Sequence, residues 1–526
     1  MTGPSFKQGI EKGTVAPPVV DRRLRLLILK GEGTVLESVG VAKLMLRSHR
    51  HCRISRLGSL VMVCFRKNAL SCRWLLLLTV LISAGSLVPM AHAELADPVE
   101  RLEFFELSNG LTILAIEDHS TPVVAFQMWV HAGSKDETFH TGIAHLFEHM
   151  MFKGSENIGE EEHARLIGAR GGRINAYTSR DVTVYHEDVT SESLPLVIDL
   201  EAERVARLNI SQENLDDERE VVLEERRLRV EDSPGGLAFE ALAALSFQAH
   251  PYHWPVIGWR ADIEAVTLEA CRQFFATYYA PNNITIVIVG DFNTAEAVAQ
   301  IEQAFGDLEP AEVIPRNPGK VVPLRGERRA IIHYDVQVPL LYAAWHAPAT
   351  GHPDADALDV TSQILSAGRS SRLYRSLVYD REQALYAQGG YWEMEEAGLF
   401  YGVAGVRPGV EIGDVEEGFF AEVEKIRTEG VEEAEVAKAK RQLEVSLVNG
   451  LSTAHALASR VGRESVMTGR VRPLEERLAA IRAVTPEDVQ RVAQTYLDPE
   501  RRSVVHVVPP PPESNSAEPT SEKGGE

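Results

Sequence analysis

Two segments of this chain are versions of one another. VTLEACRQFFATYYAP (266–281) and VTPEDVQRVAQTYLDP (484–499) share Val, Thr, Glu, Thr, Tyr and Pro at a constant offset of 218 residues. Each has apolar residues at helical spacing and leads into a β-branched run, Ile284 to Val289 or Ser503 to Val508. A strand pattern repeats near the start of each half. Thr121-Pro122-Val123-Val124 runs on to Trp129, and Val338-Pro339-Leu340-Leu341 runs on to Trp345. Two matched ends at nearly one spacing mean a duplicated unit of about 200 residues. Strands alternate with amphipathic helices, so each half is expected to be α+β, a sheet backed by helices, the two homologous domains forming a clamshell. Leu111 to Ile116 and Val123 to Val130 read as neighbouring strands, and Gly142 to Phe152 as a helix. The Pro- and charge-rich stretch 309–328 reads as a linker between domains at 94–308 and 329–508, and 509–526 as a disordered tail.

The N-terminal region is of another kind. Arg66, Lys67 and Arg73 precede an apolar run, Trp74 to Met90, that ends in Ala91-His92-Ala93. A basic region, a short apolar stretch and a small-x-small site read as a secretory signal over 62–93, cleaved after Ala93 with no stable membrane span left behind. An uncleaved membrane anchor is the competing reading, disfavoured by Ser83, Gly85, Ser86 and Pro89 in the run. Residues 1–61 then read as an over-extended start or a disordered segment. The expected location is the periplasm or the exterior of a bacterial cell. Of four cysteines, Cys52, Cys64 and Cys72 precede that cleavage point, so Cys271 alone follows it and no internal disulfide is expected. A formal charge of −22 argues against nucleic-acid binding, which needs basic surface to neutralise phosphates.

The chemistry concentrates in His145-Leu146-Phe147-Glu148-His149. On a helix, residues four apart lie on one face about 6 Å apart along the axis, so both imidazoles can address one ion. Glu148 can then take a proton from a water that zinc acidifies to a pKa of about 7. Two histidines leave such an ion one protein ligand short. The acidic helical stretch Glu218-Arg219-Glu220-Val221-Val222-Leu223-Glu224-Glu225 offers one, and spacing does not choose between Glu224 and Glu225. Glu218 and Glu225, seven apart, share a face. His131, His140, His163 and His186 lack ligand spacing; His250 and His253 sit in a Pro-rich loop.

The segments GIAHLFEHMMFKG (142–154), GGRINAYTSRDVTVYH (171–186) and EREVVLEE (218–225) resemble the pitrilysin, insulinase and mitochondrial processing peptidase family, in its shorter bacterial form. The resemblance implies His145, His149 and Glu225 as ligands of one zinc per chain, Glu148 as general base, and Glu218 as an acid behind the ligands. It places Asn175 and Ala176 on a strand edge where a peptide adds as an extra strand. It also implies, from the opposite domain, an Arg and a Tyr seven residues apart that steady the substrate carbonyl. Here Tyr386 matches, but Tyr379 stands where the Arg belongs, and Arg381 would serve only with a rearranged loop. Asp356 to Gln363, the counterpart of the metal helix, has no histidine.

The expectation is therefore a zinc endopeptidase acting on peptides or unfolded protein. It would be the metal-bearing subunit of a heterodimer whose zinc-free relative supplies the Arg, the alternative being a homodimer or a monomer that uses Arg381. A non-catalytic assembly subunit of the same fold is the alternative, and a metal hydrolase for other substrates a third reading.

Overall fold

A computed structural model describes residues 97–317 and 319–511; the segments expected to be a secretory signal (62–93) and an over-extended start (1–61), and most of the expected tail (509–526), lie outside the described residues. The first half builds a six-stranded sheet from β1 (Glu103–Glu106), β2 (Thr112–Glu117), β3 (Val123–Val130), β4 (Arg173–Thr178), β5 (Thr183–Thr190) and β6 (Ile284–Gly290), in the order β1-β2-β6-β3-β5-β4. The second half builds a five-stranded sheet from β7 (Arg328–His333), β8 (Leu340–Ala347), β9 (Ala384–Trp392), β10 (Gly398–Val406) and β11 (Arg502–Val508), in the order β7-β11-β8-β10-β9. Strand for strand, the second order is the first without β1. In each, the last strand pairs in parallel with the first of the shared set and antiparallel with the next.

Two expectations are corrected by the strands. β2 and β3 are not neighbours, because β6 enters between them. Its run ITIVIVG is buried throughout, as a central strand covered on both faces must be. The linker also ends one residue early, since Arg328 already opens β7.

The repeated residues are structural punctuation. Helices α4 (Leu268–Tyr278) and α7 (Pro486–Tyr496) each start on the duplicated threonine, Thr267 or Thr485, whose hydroxyl accepts from the backbone N–H three residues on. The remaining helices that position the site are α1 (Ile143–Met150), α2 (Gln212–Arg226), α3 (Pro234–Ser246), α5 (Ala355–Ser366) and α6 (Ala454–Thr468).

The two halves interlock. One face of each sheet carries its own helices and encloses that half's main core. The other face is covered by a helix from the opposite half. Leu457, Ala458 and Val461 of α6 pack on Trp129, Val184, Val287 and Val289 of the first sheet. In return, Ala238 and Leu242 of α3 pack on Ala344, Leu399, Val505 and Val507 of the second. At Gly462 helix and sheet come so close that an added Cβ would lie 2.3 Å from the Trp129 ring. Gln127 bonds Ser459 at 2.9 Å and His346 bonds the Ser246 carbonyl at 2.6 Å, fixing both crossings with polar contacts. No helix among the described residues is long and apolar enough to cross a membrane.

Candidate metal centre

α1 is short and anchored at its start. Gly142, at φ +89°, precedes it where a side chain would strike the Ile257 carbonyl, the added Cβ standing 2.4 Å away. Buried Glu137 accepts from the Gly142 and Ala144 N–H groups, each at 2.9 Å, satisfying donors that the first helical turn leaves free. Leu146, Phe147 and Met150 fill the core, which turns His145, Glu148 and His149 to the other side. α2 crosses nearby and brings Glu218 and Glu225 to the two imidazoles.

The geometry selects between the two acids that spacing left open. Glu224 is exposed and bound to Arg227. Glu225 is only 16% exposed, and its Oε2 lies 3.6 Å from His145 Nε2 and 3.4 Å from His149 Nε2. That oxygen is buried and has no hydrogen-bond partner. Ligands about 2.0–2.1 Å from a tetrahedral ion stand about 3.3–3.5 Å from each other. The three side chains therefore fit a zinc ion, and the orphaned oxygen is the atom such an ion would satisfy.

The surroundings suit that arrangement. His149 Nδ1 bonds Glu218 Oε2 at 3.0 Å, which leaves Nε2 to face the shared point. Glu218 in turn meets Lys153 at 3.3 Å. Burial disfavours a charged His149, but its bond to Glu218 and the nearby carboxylate of Glu225 prevail and raise its pKa to about 9. His145, buried beside His149, is lowered to about 4. Burial also raises the Glu148 carboxyl, while Thr178 at the end of β4 donates to its Oε2 at 2.5 Å and restrains the rise. Arg229 holds the second oxygen of Glu225 at 2.7 Å.

A cavity of about 320 Å³ opens beside these groups, walled by His145, Thr178, Arg180, Glu225, Val230 and Phe239, with other first-half residues. β4 is an edge strand of the first sheet, with Asn175 exposed and Ala176 half-buried on it. Tyr386 stands on β9, partly exposed and packed against Gly405. Neither these three residues nor Arg381 lines the cavity.

In the second half, α5 reads ADALDVTSQILS and carries no histidine. Among the described residues, a second group close enough to share an ion is His163, Glu187 and Glu201, wholly buried. It already holds a cation, because Arg204 donates to both oxygens of Glu201 at 2.5 and 2.9 Å. Glu137, Thr178 and Arg180 escape a sequence reading. Thr178 and Arg180 lie within NAYTSRD (175–181), and only the folded end of β4 and the turn after it bring them to Glu148 and the cavity.

Fold and metal centre together define a zinc peptidase of the inverted-motif class. The chain matches the family description "Insulinase (Peptidase family M16)" over residues 112–258 and "Peptidase M16 inactive domain" over residues 265–443. It is 29% identical to the zinc protease PqqE of Helicobacter pylori over 412 residues, 77% of this chain and 93% of that one. An uncharacterized zinc protease of Streptomyces coelicolor is 30% identical over 414 residues, 77% of this chain and 88% of the other. A protein of Arabidopsis thaliana named "Probable mitochondrial-processing peptidase subunit beta" is 26% identical over 74% of this chain and 75% of its own length. The crystal structure of a protease from Helicobacter pylori superposes with a TM-score of 0.75 at 28% identity, covering 78% of this chain and 99% of that one. The chain belongs to the insulinase family of peptidases, M16.

Proposed function

We propose that this chain is a zinc-dependent endopeptidase that hydrolyses peptide bonds in extended, unstructured polypeptides, one zinc ion serving each chain. The observation that carries the reading is the buried, unpartnered Glu225 Oε2 lying 3.4 and 3.6 Å from two imidazole nitrogens, with Glu148 on the same helix. His145, His149 and Glu225 hold the metal; Glu218 orients His149.

When bound, zinc supplies Lewis-acid polarisation of a carbonyl and acidifies water. Glu148 takes the proton of the attacking water and returns it to the departing amine; Thr178 fixes the carboxylate for both transfers. The free edge of β4 receives the substrate backbone as an added strand, with Asn175 and Ala176 beside it, so affinity does not depend on a strict sequence. Tyr386 is assigned to the substrate from the facing half.

The absence of an Arg at Tyr379 supports a heterodimer in which a related zinc-free subunit provides that cation. Mixing with such a subunit then raises a weak activity, and full activity of the isolated chain refutes the pairing. The signal pattern at 62–93 supports action outside the cytoplasm, which fractionation of the native cell tests.

The function itself is tested by zinc content per chain and by cleavage of a long unfolded peptide. Cleavage that a chelator stops and zinc restores is the expected result. Zinc without cleavage favours the alternative, a non-catalytic assembly subunit, and neither leaves the peptidase reading without support.

A further inference from the structure

Arg180 has a charge that no carboxylate pairs with, among the described residues. It lies two residues beyond Thr178, in the turn between β4 and β5, and is 5% exposed. Its Nε donates to the Tyr252 carbonyl at 3.2 Å, and its guanidinium carbon stands 4.6 Å over the ring of Trp392, contributed by β9 of the other half. These two contacts fix the plane of the fork. Its terminal nitrogens donate to no acceptor, and no carboxylate lies within 4.0 Å of them, among the described residues.

The neighbouring acid is already engaged. Asp181 Oδ1 takes Lys135 at 3.2 Å and the Tyr252 hydroxyl, and its Oδ2 takes the Glu395 N–H at 3.2 Å. Keeping a largely buried guanidinium whose terminal nitrogens find no protein acceptor is costly, and a native structure that does so at a cavity wall has left room for an acceptor from outside. That wall belongs to the cavity shared with His145 and Glu225; Val230, Phe239 and Val256 give it apolar surface, and Glu240, the other acid lining it, is held by Arg226 at 2.9 Å. Arg229, the other cation there, is already paired with Glu225.

We propose that Arg180 is a specificity-determining residue that binds a carboxylate of the peptide close to the scissile bond. The carboxylate comes either from an acidic side chain or from the peptide's own C-terminus. A carboxylate accepts two parallel N–H bonds from the free side of the fork, which a neutral amide does not match. Trp392 gives the second half a part in selection by holding the fork flat, although that half offers no metal ligand. The inference rests on the peptidase reading and deepens it.

The test measures binding apart from cleavage. Fluorescent peptides that differ by Glu against Gln at each position in turn, with free or amidated C-termini, are bound to zinc-loaded chain carrying Glu148→Gln. One Glu position, or the free C-terminus, is expected to bind about tenfold to a hundredfold more tightly than its neutral counterpart. Which arm responds identifies the source of the carboxylate. Adding Arg180→Gln abolishes the difference while zinc content and the affinity of the neutral peptide stay as they were; Arg180→Lys retains part of it. Equal binding of all acidic and neutral pairs by the parent protein overturns the proposal without need of a folded variant, as does a preference that survives Arg180→Gln. Cleavage of the same peptides by the unsubstituted chain separates the two readings. Charge-selective binding without cleavage refutes the peptidase and spares Arg180; cleavage indifferent to charge does the reverse.

Discussion

Glu218 supplies no ligand, yet its removal is expected to loosen the metal. Its Oε2 meets His149 Nδ1 at 3.0 Å and its Oε1 meets Lys153 at 3.3 Å, with the side chain 12% exposed. The carboxylate thus holds a proton on Nδ1, frees Nε2 for the ion and fixes the ring plane. In Glu218→Gln the amide oxygen still accepts from Nδ1, so only the charge assistance disappears. That is about half of a bond worth about 1.5–3 kcal/mol, or roughly 1 kcal/mol and fivefold in zinc affinity. In Glu218→Ala the acceptor goes as well, and the loss grows to about 10–100-fold, or about 1.4–2.7 kcal/mol. Titration of each variant against a chromophoric zinc chelator at one pH reads these values directly. Glu225→Ala is the reference, because deletion of a ligand should abolish stoichiometric binding. The reasoning is refuted if Glu218→Ala binds zinc as the parent does, or as weakly as Glu225→Ala.

Further outcomes follow from the same structure. Glu148→Gln should keep its zinc and lose about 10²–10⁴ in turnover, whereas His145→Ala or His149→Ala should lose zinc and turnover together; metal analysis beside a peptide assay checks both. Gly462→Ala drives a methyl into the Trp129 ring and should cost about 1–3 kcal/mol, read from the denaturant midpoint. Glu416 accepts from Arg329 at 2.6 and 2.7 Å and from His506 at 2.6 Å; burial alone would raise its carboxyl, but these partners outweigh it and hold it at about 2. A lowered carboxyl stabilises the fold above the unfolded value of 4.5 and loses that contribution as pH falls toward 2. Glu416→Gln should therefore cost up to about 3 kcal/mol at neutral pH, with the gap in melting temperature from the parent closing between pH about 4.5 and about 2.

What was legible in the chain was local. The histidine pair of α1 can be read because a four-residue step is a property of one helix, and Glu218 with Glu225 because seven residues make nearly two turns. The duplicated Thr, Tyr and Pro were legible because capping a helix and ending it are local tasks. Glu224 and Glu225 were not separable, since adjacent residues on a helix differ in direction and only the position of α1 tells which direction matters. Thr178, Arg180 and Glu137 act on groups that the chain brings near only by folding. The entry of β6 between β2 and β3 is likewise a long-range event: nothing within either strand distinguishes a neighbour far along the chain, such as Thr285 for Thr112, from one just across a turn.

The crossing of α6 over the first sheet bears on how the molecule is made. Gln127 and Ser459, partners at that crossing, are 332 positions apart. While a ribosome is still translating the second half, the first sheet presents Trp129, Val287 and Val289 to water with nothing laid over them. The zinc-binding half thus has to wait for its neighbour's C-terminal portion before its apolar surface is closed. A chain stopped after the linker would be born sticky, even with all its metal ligands present.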